Sequence, residues 1–295
     1  MRDIDEHNIT RAVLARLAGC PDPRLREIMS ALVRHAHDFV REVRLTEAEW
    51  EQGIAFLTAT GQMCSGKRQE FILLSDTLGV SMLATALNNA LPPGATEATV
   101  FGPFHTGDAP PAASGSDIAR GAPGDPLFAQ IEIVDLQGSP VIDAQVDIWQ
   151  ADAQGLYDVQ QPALGEERRA RALMRSDAQG RLRFRSVMAT PYPVPTDGPV
   201  GAMLLATGRH PWRPAHVHFL IRAPGFHPLT THLFRDADPY LDSDVVFGVR
   251  SSLIGDFVRH DGGTAPDGSR VDGPYYVLHH RFVLAPSGAA VAASA

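Results

Sequence analysis

The spacing of apolar residues changes once along the chain, and that change restricts the fold more than any other feature. Upstream of about residue 90, apolar side chains repeat at helical spacing, as at Leu25, Ile28 and Leu32. From about residue 130 the spacing becomes two, in segments such as 131–134 and 146–150. Many short strands separated by turn signals are typical of an antiparallel sandwich or barrel. The sequence therefore predicts an α+β chain, mainly β, in which helices precede an antiparallel β-sandwich.

Composition marks the limits of these regions. A stretch rich in Pro, Gly, Ala and Ser, residues 91–126, separates the two patterns. We expect a helical N-terminal region at residues 1–95, a β-sandwich domain at 96–284, and a disordered tail of small residues at 285–295. The helices carry more than one apolar stripe. A spare stripe indicates packing against the downstream domain or against a second subunit, and the alternative is an ordinary core formed by the helices themselves.

Local signals predict where elements begin and where the chain turns. Asp22 followed by Pro23 is typical of a helix start, and residues 46–49 match a capping box. The tetrapeptide Asp-Ala-Gln-Gly occurs twice, at 152–155 and at 177–180, each time between strand-like runs. Each copy predicts a hairpin turn.

Charge and hydropathy exclude several classes of partner. The formal net charge is −8, and no Lys/Arg run is long enough for a nucleic-acid footprint. No apolar stretch approaches the roughly 18 residues of a membrane span. Cys20 and Cys64 show no metal-ligand spacing, and the acidic N-terminus lacks the order of a signal peptide. We therefore expect a cytoplasmic protein that binds neither nucleic acid nor membranes.

A pair of histidines two residues apart is the first candidate for chemistry. In a strand, His216 and His218 point to the same face, so both imidazoles can reach one point. Pro214, just upstream, suits the first residue of a strand or a sheet edge. Arg213 lies beside the pair and supplies a permanent positive charge. The alternative is a pair of hydrogen-bonded histidines at a sheet edge.

Two tyrosines in unusual settings suggest a ligand set. Tyr157 follows a turn, and Tyr192 stands between Pro191 and Pro193, which hold the backbone rigid. Alternatively, either ring simply packs over the end of the sandwich. Zinc usually selects His, Cys and carboxylate ligands, whereas two phenolates and two imidazoles suit a hard trivalent ion such as Fe(III). Two phenolates and one hydroxide would cancel its three charges, which would leave Arg213 free to stabilise charge on a substrate.

Several segments of this chain together resemble the intradiol ring-cleavage dioxygenases, and the match extends over nearly the whole length. The segments are 138–141, 144–152, 155–157, 191–193, 213–219 and 238–244. Asp143 departs from the pattern, which usually has glycine there, but it lies in a predicted turn. Residues 100–105, 196–200 and 231–234 are most similar to the hydroxyquinol-cleaving branch. His105 and His232 stand where catechol and chlorocatechol enzymes tend to have another aromatic residue and a glutamine.

The resemblance implies a site. Tyr157, Tyr192, His216 and His218 would ligate one non-haem Fe(III) per subunit, and Arg213 and Tyr192 would be catalytic. The diol would displace Tyr192, which would take up a substrate proton. His232 would lie near the metal. The residues expected to line the substrate pocket are Leu73, Asp76, Val100, Phe101, Gly102, Pro103, Phe104, Pro195, Arg213 and Val246.

The resemblance also implies a reaction and an assembly. The enzyme would cleave hydroxyquinol (1,2,4-trihydroxybenzene) with O2 to 3-hydroxy-cis,cis-muconate, the enol form of maleylacetate. Asp76 would accept a hydrogen bond from the third hydroxyl, and the alternative is that Asp76 is an exposed helix residue or a helix cap. It would form a homodimer through the N-terminal helices, with a phospholipid at the junction. Two alternatives stay open: a catechol or chlorocatechol 1,2-dioxygenase, and a non-catalytic β-sandwich binding module.

Overall fold

Five of the six helices found in the described residues precede the strands, as the apolar spacing predicts, and the sixth lies between two strands. The computed structural model describes residues 2–66 and 68–288, and within them we find six α-helices and thirteen strands. The helices are α1 (Ile9–Leu17), α2 (Pro23–Val43), α3 (Glu47–Gln62), α4 (Glu70–Thr77), α5 (Val80–Asn88) and α6 (Pro199–Ala206). The strands are β1 (Pro126–Asp135), β2 (Gln145–Gln150), β3 (Arg171–Arg175), β4 (Arg181–Val187), β5 (Tyr192–Pro193), β6 (Trp212–Arg213), β7 (His216–Arg222), β8 (Leu229–Arg235), β9 (Ile254–Gly255), β10 (Phe257–His260), β11 (Gly263–Thr264), β12 (Arg270–Val271) and β13 (Tyr275–Leu284).

Inter-residue contacts divide the chain between Ala59 and Thr60. In the first unit, the Asp22 carboxylate accepts hydrogen bonds from the backbone N–H groups of Arg24 and Leu25 and caps α2. Thr46 and Glu49 form the predicted capping box before α3. The apolar stripe of α2 is half exposed, since Leu32 keeps 57% of its surface accessible. This unit therefore leaves an apolar helix face uncovered.

Two larger sheets form the core of the second unit. One has the order β10-β13-β1-β4 and the other the order β3-β2-β7-β8-β9. Phe219 on β7 contacts Phe282 on β13, with ring centroids 5.0 Å apart, and Ile131, Ile133 and Ile148 are fully buried beside them. The two sheets thus face each other over a shared apolar core, which is the predicted sandwich.

Strand direction differs in part from the prediction. Most neighbours are antiparallel, but β1 pairs with β13 in parallel and β8 pairs with β9 in parallel. An alternating pattern reports which face of a strand is buried and says nothing about its direction. Neither of the two Asp-Ala-Gln-Gly turns forms the predicted hairpin. The turn at 177–180 links β3 to β4 in the other sheet, and the turn at 152–155 leads from β2 into the segment that carries Tyr157.

The contact division falls earlier than the expected border at residues 95 and 96. Helices α4 and α5 belong with the sheets, because Leu73 and Met82 pack in one apolar cluster with Val194 and Val200. At the other end, the tail was expected to start at residue 285, but Ala285 is buried and residues 285–288 pair with the chain near Phe226. Residues 289–295 lie outside the described part, so their disorder stays a prediction.

Two sequence expectations can be checked against single features. No helix in residues 2–66 and 68–288 is by itself long and apolar enough to span a membrane; α4 and α5, bent by 77°, pass by length and composition only as a pair. Cys20 and Cys64 are free thiols, and both are partly exposed.

Candidate active site

The sheet register brings the candidate site residues together. His216 and His218 lie on β7 and share one face, as predicted. Trp149 on β2 and His232 on β8 stand opposite His218 in the two neighbouring strands. The two-residue strand β5 pairs with β6, which places Tyr192 opposite Arg213. The prolines that flank Tyr192 therefore shape a short ladder that holds a phenol beside a guanidinium.

Four donor atoms converge at this place. The Nε2 atoms of His216 and His218 lie 3.1 Å apart. The Tyr157 hydroxyl oxygen lies 2.8 Å from His218 Nε2, 3.4 Å from His216 Nε2 and 3.4 Å from the Tyr192 hydroxyl oxygen. All four residues are at most 3% exposed. The structure thus brings together the four predicted ligands, although they come from three separate parts of the chain.

Hydrogen bonding and burial prepare these groups for a cation. His216 donates its Nδ1–H to the Pro214 carbonyl at 2.7 Å, which leaves the Nε2 lone pair directed at the other donors. Burial lowers the pKa of His216 and of His218 well below the usual histidine value, so both rings stay neutral. Burial also raises the pKa of the Tyr157 phenol well above 10. A metal ion would reverse this last effect, because its charge favours the phenolate.

A third histidine lies close enough to be considered as a ligand. One ligand atom each from His216, His218 and His232 falls within 4.8 Å of the others. However, His232 Nδ1 faces the Arg213 guanidinium at 3.5 Å, and its Nε2 has no partner among the described residues. Its ring stacks on His216, with centroids 4.7 Å apart and 14° between planes. His232 therefore lies beside the ring of donors, as the sequence predicted, and the two-tyrosine, two-histidine set fits a metal ion better.

Arg213 is paired with a carboxylate, while one of its nitrogens still faces the donor atoms. Its guanidinium is 3% exposed and forms an ion pair with Asp244, through Nε at 3.1 Å and Nη2 at 3.3 Å. Asp244 raises the Arg213 pKa further above its usual value, against the opposing effect of burial. The remaining nitrogen, Nη1, lies 3.3 Å from His216 Nε2 and 3.5 Å from the Tyr192 oxygen.

A cavity of about 200 Å³ adjoins the donors. Its lining includes four predicted pocket residues, Leu73, Pro103, Phe104 and Pro195, together with Arg68, Gln69, Glu70, Val159 and Gln160. Phe104 also stacks on Tyr157, with ring centroids 4.5 Å apart. A larger cavity of about 540 Å³ is lined by residues 208–210, 241–245, Phe247 and Val249. Neither cavity has any of the four donors in its lining, but the smaller one reaches Tyr157 through the stacked ring of Phe104.

The other predicted pocket residues surround the site without lining this cavity. Gly102 approaches His218 so closely that an added Cβ would lie 3.2 Å from its Cε1 atom. Val100 and Val246 are buried in the apolar cluster of Leu73. Phe101 lies 5.8 Å from the Trp149 ring.

Asp76 is buried rather than exposed at the helix surface. Only 4% of its surface is accessible, although it lies on a helix. Burial raises its pKa above 3.8, against the opposing effects of Ser81 and Arg213. Both members of the Arg213–Asp244 pair act on the pKa of Asp76, since Arg213 lowers it and Asp244 raises it.

Sequence reasoning missed three supporting interactions. Trp149 stacks on His218 with ring centroids 4.6 Å apart and 14° between planes, which fixes that imidazole. Asp158 forms a fully buried ion pair with Arg171, whose Nη2 also donates to the Phe104 carbonyl at 2.9 Å. Trp149 lies inside the matching segment 144–152, and Asp158 follows a predicted ligand, so both positions could have been singled out.

Glu70 is the third missed residue. It is fully buried and accepts hydrogen bonds from Arg68 and from the backbone N–H of Val200, at the start of α6. Arg68 also pairs with Asp197. These contacts join the start of α4 to the segment that follows Tyr192.

Comparisons with known proteins agree with this geometry. Residues 101–273 match a family model described as "Dioxygenase", and residues 22–96 match one described as "Catechol dioxygenase N terminus". A 6-chlorohydroxyquinol 1,2-dioxygenase of Cupriavidus pinatubonensis is 56% identical over 97% of this chain and its own full length. A hydroxyquinol 1,2-dioxygenase of Nocardioides simplex is 48% identical over 96% of each chain. The crystal structure of a hydroxyquinol 1,2-dioxygenase from Pseudomonas putida superposes with a TM-score of 0.87 at 46% identity, over 96% of this chain and 99% of the other.

Proposed function

The chain belongs to the intradiol ring-cleavage dioxygenases, an iron-dependent family, and on that premise we propose that it is a hydroxyquinol 1,2-dioxygenase. It would cleave hydroxyquinol between its adjacent hydroxyls and place both atoms of O2 in the product. The product is 3-hydroxy-cis,cis-muconate, the enol form of maleylacetate. The observation that carries the proposal is the convergence of two phenols and two imidazoles beside a buried arginine.

The metal would be ferric iron, one per subunit, held by Tyr157, Tyr192, His216 and His218. Two phenolates supply two negative charges, which suit a hard trivalent ion better than a softer divalent ion. The two imidazoles are already neutral. Bound ferric iron would withdraw electron density from the coordinated diol and so make a ring carbon reactive toward O2. A site made of His216, His218 and His232 alone would leave the two phenols without a role, whereas the set of two tyrosines and two histidines uses them.

The protein's own groups prepare the substrate for that chemistry. The diol would enter from the cavity of about 200 Å³ and present its two hydroxyls where the Tyr192 oxygen now lies. Tyr192 would hold the metal through its phenolate oxygen, and the same oxygen would be the acceptor for one proton of the diol. Arg213 Nη1, 3.5 Å from the Tyr192 oxygen, would then face the negative charge on the bound ring. Phe104 and Pro103 in the cavity wall would keep water from the ring.

Asp76 would distinguish hydroxyquinol from catechol. Burial favours its protonated form, which can donate a hydrogen bond to the third hydroxyl or accept one from it. Loss of that hydroxyl would leave a buried polar group unpaired, and this is the usual source of strong discrimination. We therefore expect catechol to be turned over more slowly than hydroxyquinol.

A second candidate substrate is a chlorinated hydroxyquinol. The relative that is 56% identical carries the name 6-chlorohydroxyquinol 1,2-dioxygenase. An apolar wall such as Leu73 or Pro195 can contact a chlorine substituent without leaving any polar group unpaired. The three substrates should therefore be compared in one assay.

Iron quantitation, a visible spectrum and product identification test the proposal together. The purified protein should contain about one iron per chain and should be red-brown, since tyrosinate ligands transfer charge to ferric iron. With hydroxyquinol and O2 it should form the ring-opened dicarboxylate. An equal or better rate with catechol would defeat the assignment of hydroxyquinol, and a colourless, iron-free, inactive protein would favour the binding-module alternative.

We also propose that the first unit forms a homodimer, with a phospholipid bound at the junction. The support is the half-exposed apolar stripe on α2, which includes Leu25, Ile28 and Leu32. Gel filtration of the full chain should show twice the chain mass, and organic extraction followed by mass spectrometry should release a phospholipid. A monomer would contradict the assembly.

A further inference from the structure

We propose that Asp244 is a positioning residue for Arg213. It holds the guanidinium so that only Nη1 faces the metal-ligand atoms, and it keeps the buried charge of the arginine balanced. The inference rests on the proposed function, because that function gives Arg213 its role toward the substrate. The evidence is the set of contacts around the Asp244 carboxylate and the packing behind it.

Each carboxylate oxygen of Asp244 is held from two sides. Oδ1 accepts from Arg213 Nε at 3.1 Å and from the Val246 backbone N–H at 3.3 Å. Oδ2 accepts from Arg213 Nη2 at 3.3 Å and from the Gly248 backbone N–H at 3.0 Å. The Phe247 backbone N–H closes the same turn by donating to the Asp244 carbonyl. The carboxylate is therefore fixed by the backbone before it meets the guanidinium.

This arrangement leaves one guanidinium nitrogen facing the donor atoms. Because Nε and Nη2 are aligned on the carboxylate, Nη1 projects toward the Tyr192 oxygen at 3.5 Å and His216 Nε2 at 3.3 Å. A planar guanidinium with one edge clamped has little rotational freedom left. The direction of Nη1 is thus set by Asp244 and not by the groups that it faces.

Charge supports the same conclusion. Arg213 and Asp244 have side chains that are 3% and 2% exposed, so neither charge is solvated by bulk water. A buried charge without its partner is strongly unfavourable. Without Asp244, the guanidinium would be drawn toward the nearest anionic oxygen, which in the loaded site is the phenolate of Tyr192.

The space behind the ion pair is kept for it by a glycine. A Cβ added at Gly248 would lie 3.1 Å from Arg213 Nη2, from Asp244 Oδ2 and from Thr99 Oγ1. Thr99 also donates to the Gly248 carbonyl at 2.6 Å and so holds that backbone in place. The backbone of Gly248 is not in the left-handed region. An alanine there would therefore displace the ion pair without removing a charge.

Four variants separate positioning from other roles: Asp244→Asn, Asp244→Glu, Gly248→Ala and the control Asp147→Asn. Asp244→Asn removes the charge, whereas the other two site variants keep it and move the guanidinium. Asp147 pairs with Arg222 at 3.0 Å and approaches His105 at 4.0 Å, so its variant loses an Asp–Arg pair whose hydrogen bonds include none of the four donors, Arg213 or Asp244. The measurements are iron content, anaerobic optical titration with hydroxyquinol, kcat, KM, and a crystal structure of Asp244→Asn.

We expect all four variants to retain iron near the wild-type level. In Asp244→Asn kcat should fall by about 10- to 100-fold, as for a misplaced catalytic group, while KM and the anaerobic dissociation constant change by less than about threefold. Asp244→Glu and Gly248→Ala should show smaller losses of the same kind, and Asp147→Asn should show none. In the crystal structure, Nη1 should have left its position between Tyr192 and His216.

Three results would overturn the inference. They are kcat within twofold of wild type in Asp244→Asn, an iron loss as large as the loss of kcat, or an unmoved Arg213 in the crystal structure. The last measurement needs no turnover. If wild type forms no ring-opened product, the proposed function fails, and the position of Arg213 in Asp244→Asn still decides whether Asp244 positions it.

Discussion

His216 and His218 direct their Nε2 atoms at each other across 3.1 Å, and burial keeps both imidazoles neutral. Two lone pairs at that separation repel unless a proton or a cation lies between them. The Tyr157 hydroxyl oxygen lies 2.8 Å from His218 Nε2 and 3.4 Å from His216 Nε2, and the Tyr192 hydroxyl oxygen lies 3.4 Å from that of Tyr157. The cluster can therefore hold a positive ion, to which the two phenol oxygens would add negative charge.

Replacing Tyr157 by phenylalanine should abolish iron binding or colour. The variant removes the anionic oxygen that lies 2.8 Å from His218 Nε2, while the ring can still stack on Phe104. Tyr275→Phe is a suitable control, because the Tyr275 hydroxyl donates to the Thr264 carbonyl and belongs to a different cluster. Iron analysis and the visible spectrum measure the outcome. A Tyr157→Phe protein that keeps iron, colour and turnover would refute the assignment of Tyr157 as a ligand.

Gly102→Ala should weaken iron binding beyond its effect on folding. Gly102 has φ +76°, where alanine costs about 1 kcal/mol, and its new Cβ would lie 3.2 Å from His218 Cε1. Gly138→Ala incurs only the backbone cost, because Gly138 has φ +82° and no heavy atom lies within 4 Å of the added Cβ. The midpoint temperature of thermal unfolding should therefore fall by a similar amount in both variants, while iron occupancy falls only in Gly102→Ala. Equal iron occupancy would show that His218 does not depend on this close approach.

The sequence predicted that Tyr157, Tyr192, His216 and His218 come together, because each of them has a local signal. A strand with alternate histidines places both on one face, and prolines around Tyr192 mark a rigid backbone. The pattern could not show which residues pair with each other when they lie far apart in the sequence. Asp244 lies 31 positions from Arg213, and only the fold reveals that the arginine is paired.

The limits of the fold prediction have a similar cause. Periodicity identified strands and the helical region, but it could not show that β1 pairs with β13 in parallel. It could not show either that α4 and α5 pack with the sheets, because an apolar helix stripe is the same whatever covers it. Burial of Glu70 and Asp76 was invisible for the same reason, since charged residues on a helix are usually exposed.

Breaking the buried ion pair behind Tyr157 should destabilise the protein strongly. Arg171→Met leaves the Asp158 carboxylate buried without its partner, and both side chains are 1% exposed in the wild type. Such a loss typically costs about 3–5 kcal/mol. Arg175, on the same strand, forms a surface pair with Asp143, so Arg175→Met should cost about 0–1 kcal/mol. Urea unfolding of both variants measures the free energies of unfolding. Equal losses would show that the buried Arg171–Asp158 pair contributes no more stability than the surface pair.

Asp76→Asn should change both substrate preference and the pH dependence of stability. The buried Asp76 has a folded-state pKa above its ordinary value of 3.8, so the folded state binds its proton more tightly than the unfolded state does. The stability that this group contributes is therefore present below about pH 3.8 and is lost as the pH rises through the folded-state pKa. An asparagine at this position carries no charge at any of these pH values, so the variant does not lose this stability as the pH rises. The variant should gain stability relative to wild type at pH 7 and lose that advantage at acid pH.

Thermal unfolding of the wild type and of Asp76→Asn at pH 4 and at pH 7 tests the sign, with the exposed Asp38→Asn on α2 as a control for the substitution itself. In the same variant, the ratio of kcat/KM for hydroxyquinol over catechol should fall about tenfold, the value of one hydrogen bond to the third hydroxyl. The two measurements answer separate questions. A stability gap that does not widen between pH 4 and pH 7 would contradict the raised pKa. An unchanged substrate ratio would instead show that another residue reads the third hydroxyl, because a buried carboxyl that touches that group cannot be altered without changing the discrimination.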